Sequence, residues 1–261
     1  MRRKVLLLFV LSALAMLTVG ISVSWAAPLI ELDGRYWFTS ISGTVQVPES
    51  GAAIGKTNID LKSDLDVRNK DVPDVRLIWH TGSSSWLRLS YAQLYYDGDS
   101  ILPETVTFRG QTYTANTRVI SSLHIKYASL GWAWQFINIK NILKFGTLLQ
   151  AKGFWIDTSL NDTDLNINEK KSFAFGLPTV GAALDINPPI IPIDLFGEFS
   201  WMTAGKYGHL YDTEAGVKIS PPIPFLSIVG GYRILDVKAK DDPNSASIRI
   251  KGPFAGATLS F

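Results

Sequence analysis

The last ten residues read GPFAGATLSF (252–261). In an extended conformation Ala255, Ala257, Leu259 and Phe261 share one face, and Gly256, Thr258 and Ser260 share the other. Such period-two alternation marks a half-buried strand. It also runs backwards through most of the chain. Val75, Leu77 and Trp79 oppose Arg76, Ile78 and His80, and Leu87, Leu89 and Tyr91 oppose Arg88, Ser90 and Ala92. Leu123, Ile125 and Tyr127 oppose Ser122, His124, Lys126 and Ala128. Residues 143–152, 179–186, 194–201, 212–219 and 228–234 repeat the pattern. With a first strand near 34–47 and a last near 246–261, the count is ten strands.

The connections differ in length. Residues 82–85, 134–141, 187–192 and 221–224 make short turns, whereas 48–71, 98–116 and 158–170 are long and polar. Short turns at one end and long loops at the other is the plan of an up-and-down barrel in an outer membrane. An even strand number puts both ends of the sheet on the short-turn, periplasmic side. The segment TNIDLKSDLDV (57–67) either extends the sheet above the membrane or folds over the mouth.

The beginning of the chain agrees with export. Arg2, Arg3 and Lys4 precede a long uncharged apolar run, and Ser24-Trp25-Ala26 supplies a small-x-small cleavage site. The expected organisation is a signal peptide over 1–26 and one barrel domain over 27–261; the alternative is an uncleaved anchor, since the run is long enough to span a bilayer. Cleavage after Ala26 removes three of the 25 Lys and Arg and none of the 23 Asp and Glu, leaving 22 against 23 and a net charge of −1. That balance offers no basic face for nucleic acid. Cysteine is absent, so no disulfide or thiol lipid anchor is available. No later segment approaches 18 consecutive apolar residues, yet 46% of the chain is hydrophobic. An exported chain of this kind has to put its apolar surface somewhere.

Soluble sandwiches also alternate, and the placement of charge decides between them. A sandwich buries large branched residues on one face and turns ions to water on the other. Here Gly, Ser, Ala and Thr recur between the ions, which suits a lumen. Trp37, Trp79, Trp132, Trp155, Trp201 and Tyr91 near strand ends on the apolar face suit interfacial girdles. An Arg or Lys facing lipid at mid-depth costs about 2–4 kcal/mol. The centres of the eight best-phased strands place none there. The expected fold is therefore all-β, a transmembrane antiparallel barrel of about ten strands.

The terminal aromatic with apolar residues at Ala255, Ala257 and Leu259 resembles the C-terminal assembly signal of Gram-negative outer-membrane proteins. GGYRILDV (230–237), a short polar loop and KGPFAGATLSF (251–261) resemble the closing hairpin of small barrels of the broad OmpA- and OmpW-like group. The resemblance implies outer-membrane location, surrounding lipids and lipopolysaccharide, and handling by periplasmic chaperones and the barrel-assembly machinery, as a monomer. The resemblance speaks to location and fold rather than to activity, and ten strands depart from the eight usual in that group.

By this phasing the lumen-facing ions are Arg76, Arg88, Lys126, Lys144, Lys152, Lys218 and Arg233, with Asp185, Asp194, Glu198, Asp212 and Glu214. Two readings compete: a paired structural network, because unpaired buried ions are costly, or the lining of a narrow solute passage. Small barrels have interiors filled by side chains, so any conductance should be small. His80 and His124 are expected in the lumen. His209 and Asp212 are the only enzyme candidates. Lipid A deacylases pair a His with a Ser two residues later, where this chain has Tyr211. Omptin-type proteases have ten strands and use Asp–His and Asp–Asp pairs at a mouth cleft, but His209 and Asp212 differ in parity along a strand. No spacing suggests a metal or cofactor. Gly146, Gly181, Gly216 and Gly231 relieve crowding in the wall.

The expected role is a structural or narrow-pore outer-membrane barrel. The alternatives are a surface enzyme, or an adhesion or receptor barrel acting through 48–71 and 98–116. Amino-terminal sequencing of the protein recovered from outer membranes is expected to begin at Ala27; a readable Met1 would make the leader an anchor.

Overall fold

The computed structural model describes residues 29–46, 58–108, 111–162, 167–241 and 244–261. The expected signal peptide and residues 48–57 of the first long loop lie outside them. Among these residues fourteen strands form, in chain order: β1 (Ile30–Phe38), β2 (Ser40–Gln46), β3 (Asn58–Asp60), β4 (Asp71–Gly82), β5 (Ser85–Ile101), β6 (Val106–Phe108) and β7 (Gln111–Tyr113). Then come β8 (Arg118–Ile139), β9 (Leu143–Asp162), β10 (Ile167–Ile186), β11 (Ile193–Thr203), β12 (Gly208–Ile219), β13 (Leu226–Asp241) and β14 (Asn244–Ser260). β1 and β2 are one barrel strand interrupted at Thr39. Ten antiparallel strands thus close on themselves, because β1 pairs with both β4 and β14. Closure removes the edges of the barrel wall itself.

Thr39 is where the first strand changes partner. Its N–H donates to the Lys70 carbonyl at 3.2 Å, and its hydroxyl shares a 2.7 Å bond with the Tyr96 hydroxyl. Beyond it β2 keeps β14 on one side and takes β3 on the other. Residues 58–67 therefore do both things the sequence allowed. Asn58–Asp60 extend the sheet, and Leu61, Leu65 and Val67 bury their side chains inside the mouth.

β8 has 22 residues and β9 and β10 have 20 each, twice the 9–11 that a bilayer requires. The added length has a different polarity. On β8 the outward residues from the turn end are Phe136, Trp134, Trp132, Leu130 and Ala128, followed by Lys126, His124 and Ser122. On β9 the matching series runs from Phe145 through Leu149 to Trp155, then Asp157 and Ser159. Inward, the order is reversed: ions and amides near the turns, then Tyr127, Phe154, Ile125, Ile156 and Leu123.

This inversion corrects one strand of the sequence reading. Leu123, Ile125 and Tyr127 are buried inside the barrel, whereas Lys126 and His124 point outward. Parity cannot change along a continuous strand, so a strand that leaves the apolar band must exchange the polarity of its faces. Trp37 is also corrected: it is 2% exposed and faces the lumen. The expected girdle residues Trp79, Tyr91, Trp132, Trp155 and Trp201 do face outward, each at least 42% exposed. The long 158–170 loop contracts to a hairpin, since β9 and β10 run on to Asp162 and from Ile167. Within 98–116, β6 and β7 form a small separate hairpin.

Among the described residues the lower outer wall carries no ion. Leu32, Val75, Leu77, Leu89, Leu149, Val180, Phe199, Val217, Ile228 and Tyr232 belong to it, all exposed. Above it lie Lys126, Lys238, Arg249 and Lys251. There the exposed Arg118 guanidinium bonds Asp99 at 2.9 and 2.7 Å and holds that carboxyl below its ordinary range. Close strand approach explains two of the glycines: a methyl group on Gly146 would stand 2.0 Å from the Trp134 carbonyl oxygen, and one on Gly181 1.7 Å from that of Phe199.

Replacing Leu130 by Arg puts a charge in the middle of the band and is expected to destabilise the folded barrel in vesicles by about 2–4 kcal/mol. Ile120→Arg, on the same outward face but above the band, is expected to change it by no more than about 0.5 kcal/mol. Urea unfolding of the two variants in one lipid checks the contrast.

Candidate functional site

Halfway up the lumen the charges meet. Glu214 on β12 accepts two bonds from Arg76 on β4, at 2.9 and 2.7 Å, and a third from Arg35 on β1. The Arg76 Nη2 also donates to Asp74 at 2.8 Å. Asp212, two residues from Glu214 and hence on the same face, accepts from Arg233 at 3.0 and 2.8 Å and from Lys152 Nζ at 2.6 Å. The Lys152 ammonium, fully buried, also reaches the Ser200 hydroxyl at 2.9 Å. Arg233 bridges to Asp74 at 3.3 Å, so the two carboxylate centres form one lattice.

Aromatic rings complete the layer. The Arg35 guanidinium lies 4.7 Å from the Phe254 ring centroid and 5.5 Å from that of Phe196. The Arg233 guanidinium lies 4.9 Å from Trp37 and 5.2 Å from Tyr127. Cations over ring faces are attracted by the ring quadrupole, most of all when desolvated. The Trp37 indole donates to the Gly252 carbonyl at 3.1 Å, which fixes its plane. Gly216 and Gly231 make room here, because a methyl on either would fall within 2.7 Å of the Phe196 or Phe254 ring.

Beside this lattice Arg88 makes a two-bond fork to Glu198, at 2.6 and 2.5 Å. Taken together, Arg35, Arg76, Arg88, Lys152 and Arg233 face Asp33, Asp74, Glu198, Asp212 and Glu214: five cations against five anions. The free space beside them amounts to about 20 Å³, close to the room one water needs. The lumen is thus divided. Below the lattice lies a polar chamber of about 730 Å³ that includes Lys144, Asp185, Asp194 and Lys218. There Lys218 bonds both Glu31 oxygens at 3.0 and 2.9 Å, and His80 stands 3.4 Å from the same carboxylate. Above lies an apolar chamber of about 390 Å³.

Eleven of the twelve expected lumen ions line the lattice or the lower chamber; Lys126 does not, for the reason given above. Glu31, Asp33, Arg35 and Asp74 were missed. The signal for the first three was present in IELDGRYWF (30–38), where ions alternate with Ile30, Leu32, Gly34 and Tyr36; placing the first strand too late hid it. His209 and Asp212 are not brought together. His209 stacks on Tyr211 on the outer wall, 5.7 Å between centroids, and its carboxylate neighbour is Asp236 at 3.6 Å. Asp236 in turn accepts from Tyr211 at 3.1 Å and from Arg249. Among the described residues no group of His, Cys, Asp and Glu could hold a metal.

No protein-family model and no curated protein matches the chain. Solved structures do. The outer-membrane protease OmpT of Escherichia coli superposes with a TM-score of 0.60 at 10% identity, over 94% of this chain and all of that one. The translocator domain of the autotransporter NalP of Neisseria meningitidis gives 0.47 at 7% identity, over 89% and 88% of the two chains. The chain has the fold of an outer-membrane β-barrel, and at such identities the likeness extends to fold alone.

Asp212→Asn leaves Lys152 and Arg233 undercompensated and is expected to destabilise the barrel by about 3–5 kcal/mol. Adding Lys152→Met restores the balance of charge and should recover part of that loss. Parallel unfolding curves for the single and double variants measure it.

Proposed function

We propose that the protein is an integral outer-membrane barrel with a structural role, closed to solutes at its middle. The observation that carries this reading is the five-against-five ion lattice across the lumen, packed with Trp37, Tyr127, Phe196 and Phe254. A solute path would have to part charge-assisted bonds in a place where an unpaired ion is costly. The ion-free band with Trp79, Trp132 and Trp201 on its surface supports insertion in a bilayer. The short turns and the two sheet ends would lie in the periplasm, where the Phe261 carbonyl accepts from Leu29 at 2.7 Å. Above the band, exposed Lys238, Arg249 and Lys251 are suited to the phosphates of lipopolysaccharide. The closing strand, with Ala255, Ala257, Leu259 and Phe261, is the part the barrel-assembly machinery would receive, after delivery by periplasmic chaperones.

This reading favours a scaffold over a surface hydrolase. The His209 imidazole and the Asp212 carboxylate lie on opposite sides of β12, and Asp236 is engaged by Tyr211 and Arg249 on the outer wall rather than in a cleft. An adhesion or receptor role is the second reading. It is favoured by the β6–β7 hairpin and the ordered 58–71 segment, which give the outer end a defined surface.

In planar bilayers the purified barrel is expected to give no steady conductance. A charge-neutral quadruple variant, Arg35→Ala, Arg76→Ala, Asp74→Ala and Glu214→Ala, should open stable channels while retaining heat-modifiable migration. Steady channels from the unaltered protein would overturn the closed reading.

A further inference from the structure

The chamber above the lattice is the least expected part of the molecule. Its wall is mostly apolar: Val45, Ile59, Leu61, Leu65, Leu123 and Ile156 line a space of about 390 Å³, together with polar residues such as Thr158 and Ser245. Barrels that pass or hold polar solutes have polar interiors, so this lining calls for another explanation. We propose that the outer chamber is a binding site for a small hydrophobic molecule carrying one hydrogen-bonding group, such as a medium-chain alcohol or acid.

Size is the first argument. Ligand sites occupy about 300–1,000 Å³, and an apolar hollow of about 150 Å³ already takes up benzene. Apolar walls facing nothing forfeit dispersion contacts, and the loss grows with volume. The second argument is construction. The turn at 61–65 is fastened by its own polar groups: the Lys62 and Ser63 amides donate to Asp60 Oδ1 at 2.7 and 2.9 Å, and Lys62 Nζ caps the Val67 carbonyl at 2.6 Å. That fastening directs Leu61, Leu65 and Val67 into the chamber rather than into water. The third is a polar group without a partner among the described residues: the Ser121 hydroxyl, in the chamber wall and buried, makes no hydrogen bond to them. Below, Tyr127 and Phe154 pack 5.3 Å apart and separate the chamber from the ions. A molecule entering from the outer end would therefore reside rather than pass. The site stands above the lattice and does not depend on whether the lattice conducts.

The chain has no cysteine, which allows a direct test in lipid nanodiscs. Ala246→Cys lies in the chamber wall, and Ser247→Cys is the adjacent residue with its side chain on the opposite face. Decan-1-ol is expected to slow maleimide labelling of Ala246→Cys at least fivefold and to leave Ser247→Cys unchanged. Filling the chamber with Leu123→Trp, or with Leu160→Trp if the first fails to fold, should abolish the protection. Equal effects at both cysteines, no effect at either, or protection that survives filling would overturn the proposal. So would an Ala246→Cys that reacts only after residues 48–57 are deleted, because the occupant would then be this chain itself.

Discussion

Everything in this molecule follows from the fixed parity of a closed sheet. Once ten strands are joined edge to edge, each side chain is committed either to the tube or to its surroundings, and neither can be exchanged along the strand. The surroundings are not uniform. The lower wall is ion-free and aromatic, as a wall against acyl chains must be, and the upper wall bears Lys126, Asp157, Lys238 and Arg249, as a wall against water can. The inside answers in the opposite sense, with ions low and aliphatic side chains high. The polarity inversion along β8 and β9 is thus one constraint seen from two sides.

The ion lattice is the consequence at mid-height. A ten-stranded tube is wide enough that facing aliphatic residues would leave a void, and long polar side chains can reach across it. Burying ten charged groups in a narrow layer is tolerable because cations and anions are equal in number and nearly every bond is charge-assisted. Arginine suits the task better than lysine. Its planar fork serves Glu214 and Asp74 together in Arg76, and its face lies over Phe254 in Arg35 and over Trp37 in Arg233. Through these contacts β1 and β4 are tied to β12 and β13, far along the chain, so the lattice also braces the barrel where β1 and β14 close it.

Much of the architecture was legible in the alternation alone. Strand number, closure and the facing of Arg76, Arg88, Lys152, Asp212, Glu214 and Arg233 followed from period two, and the short turns at one end from the lengths of the connections. What misled was the assumption that apolar always means outward. At Leu123, Ile125 and Tyr127 the alternation is perfect and its meaning is reversed, because that stretch lies beyond the band. A single segment carries no mark of its height; only continuity with Leu130 and Trp132, which lie lower on β8, reveals it. The pairing of specific ions was not legible, since Arg35 and Glu214 stand 179 residues apart. Nor was the outer chamber, whose wall is assembled from β2, β3, β8, β9, β13, β14 and the turn after β3.

The inversion along one strand is the central claim, and a nitroxide scan of β8 tests it most directly. Single cysteines at the outward positions from Ile120 to Phe136, spin-labelled in vesicles, should be accessible to oxygen from Ala128 to Trp134 and to a water-soluble nickel complex from Ser122 to Lys126. The crossover should fall between Lys126 and Ala128. Nickel accessibility that continues undiminished through Leu130 and Trp132 would show that no part of this wall meets lipid, and the account would be wrong.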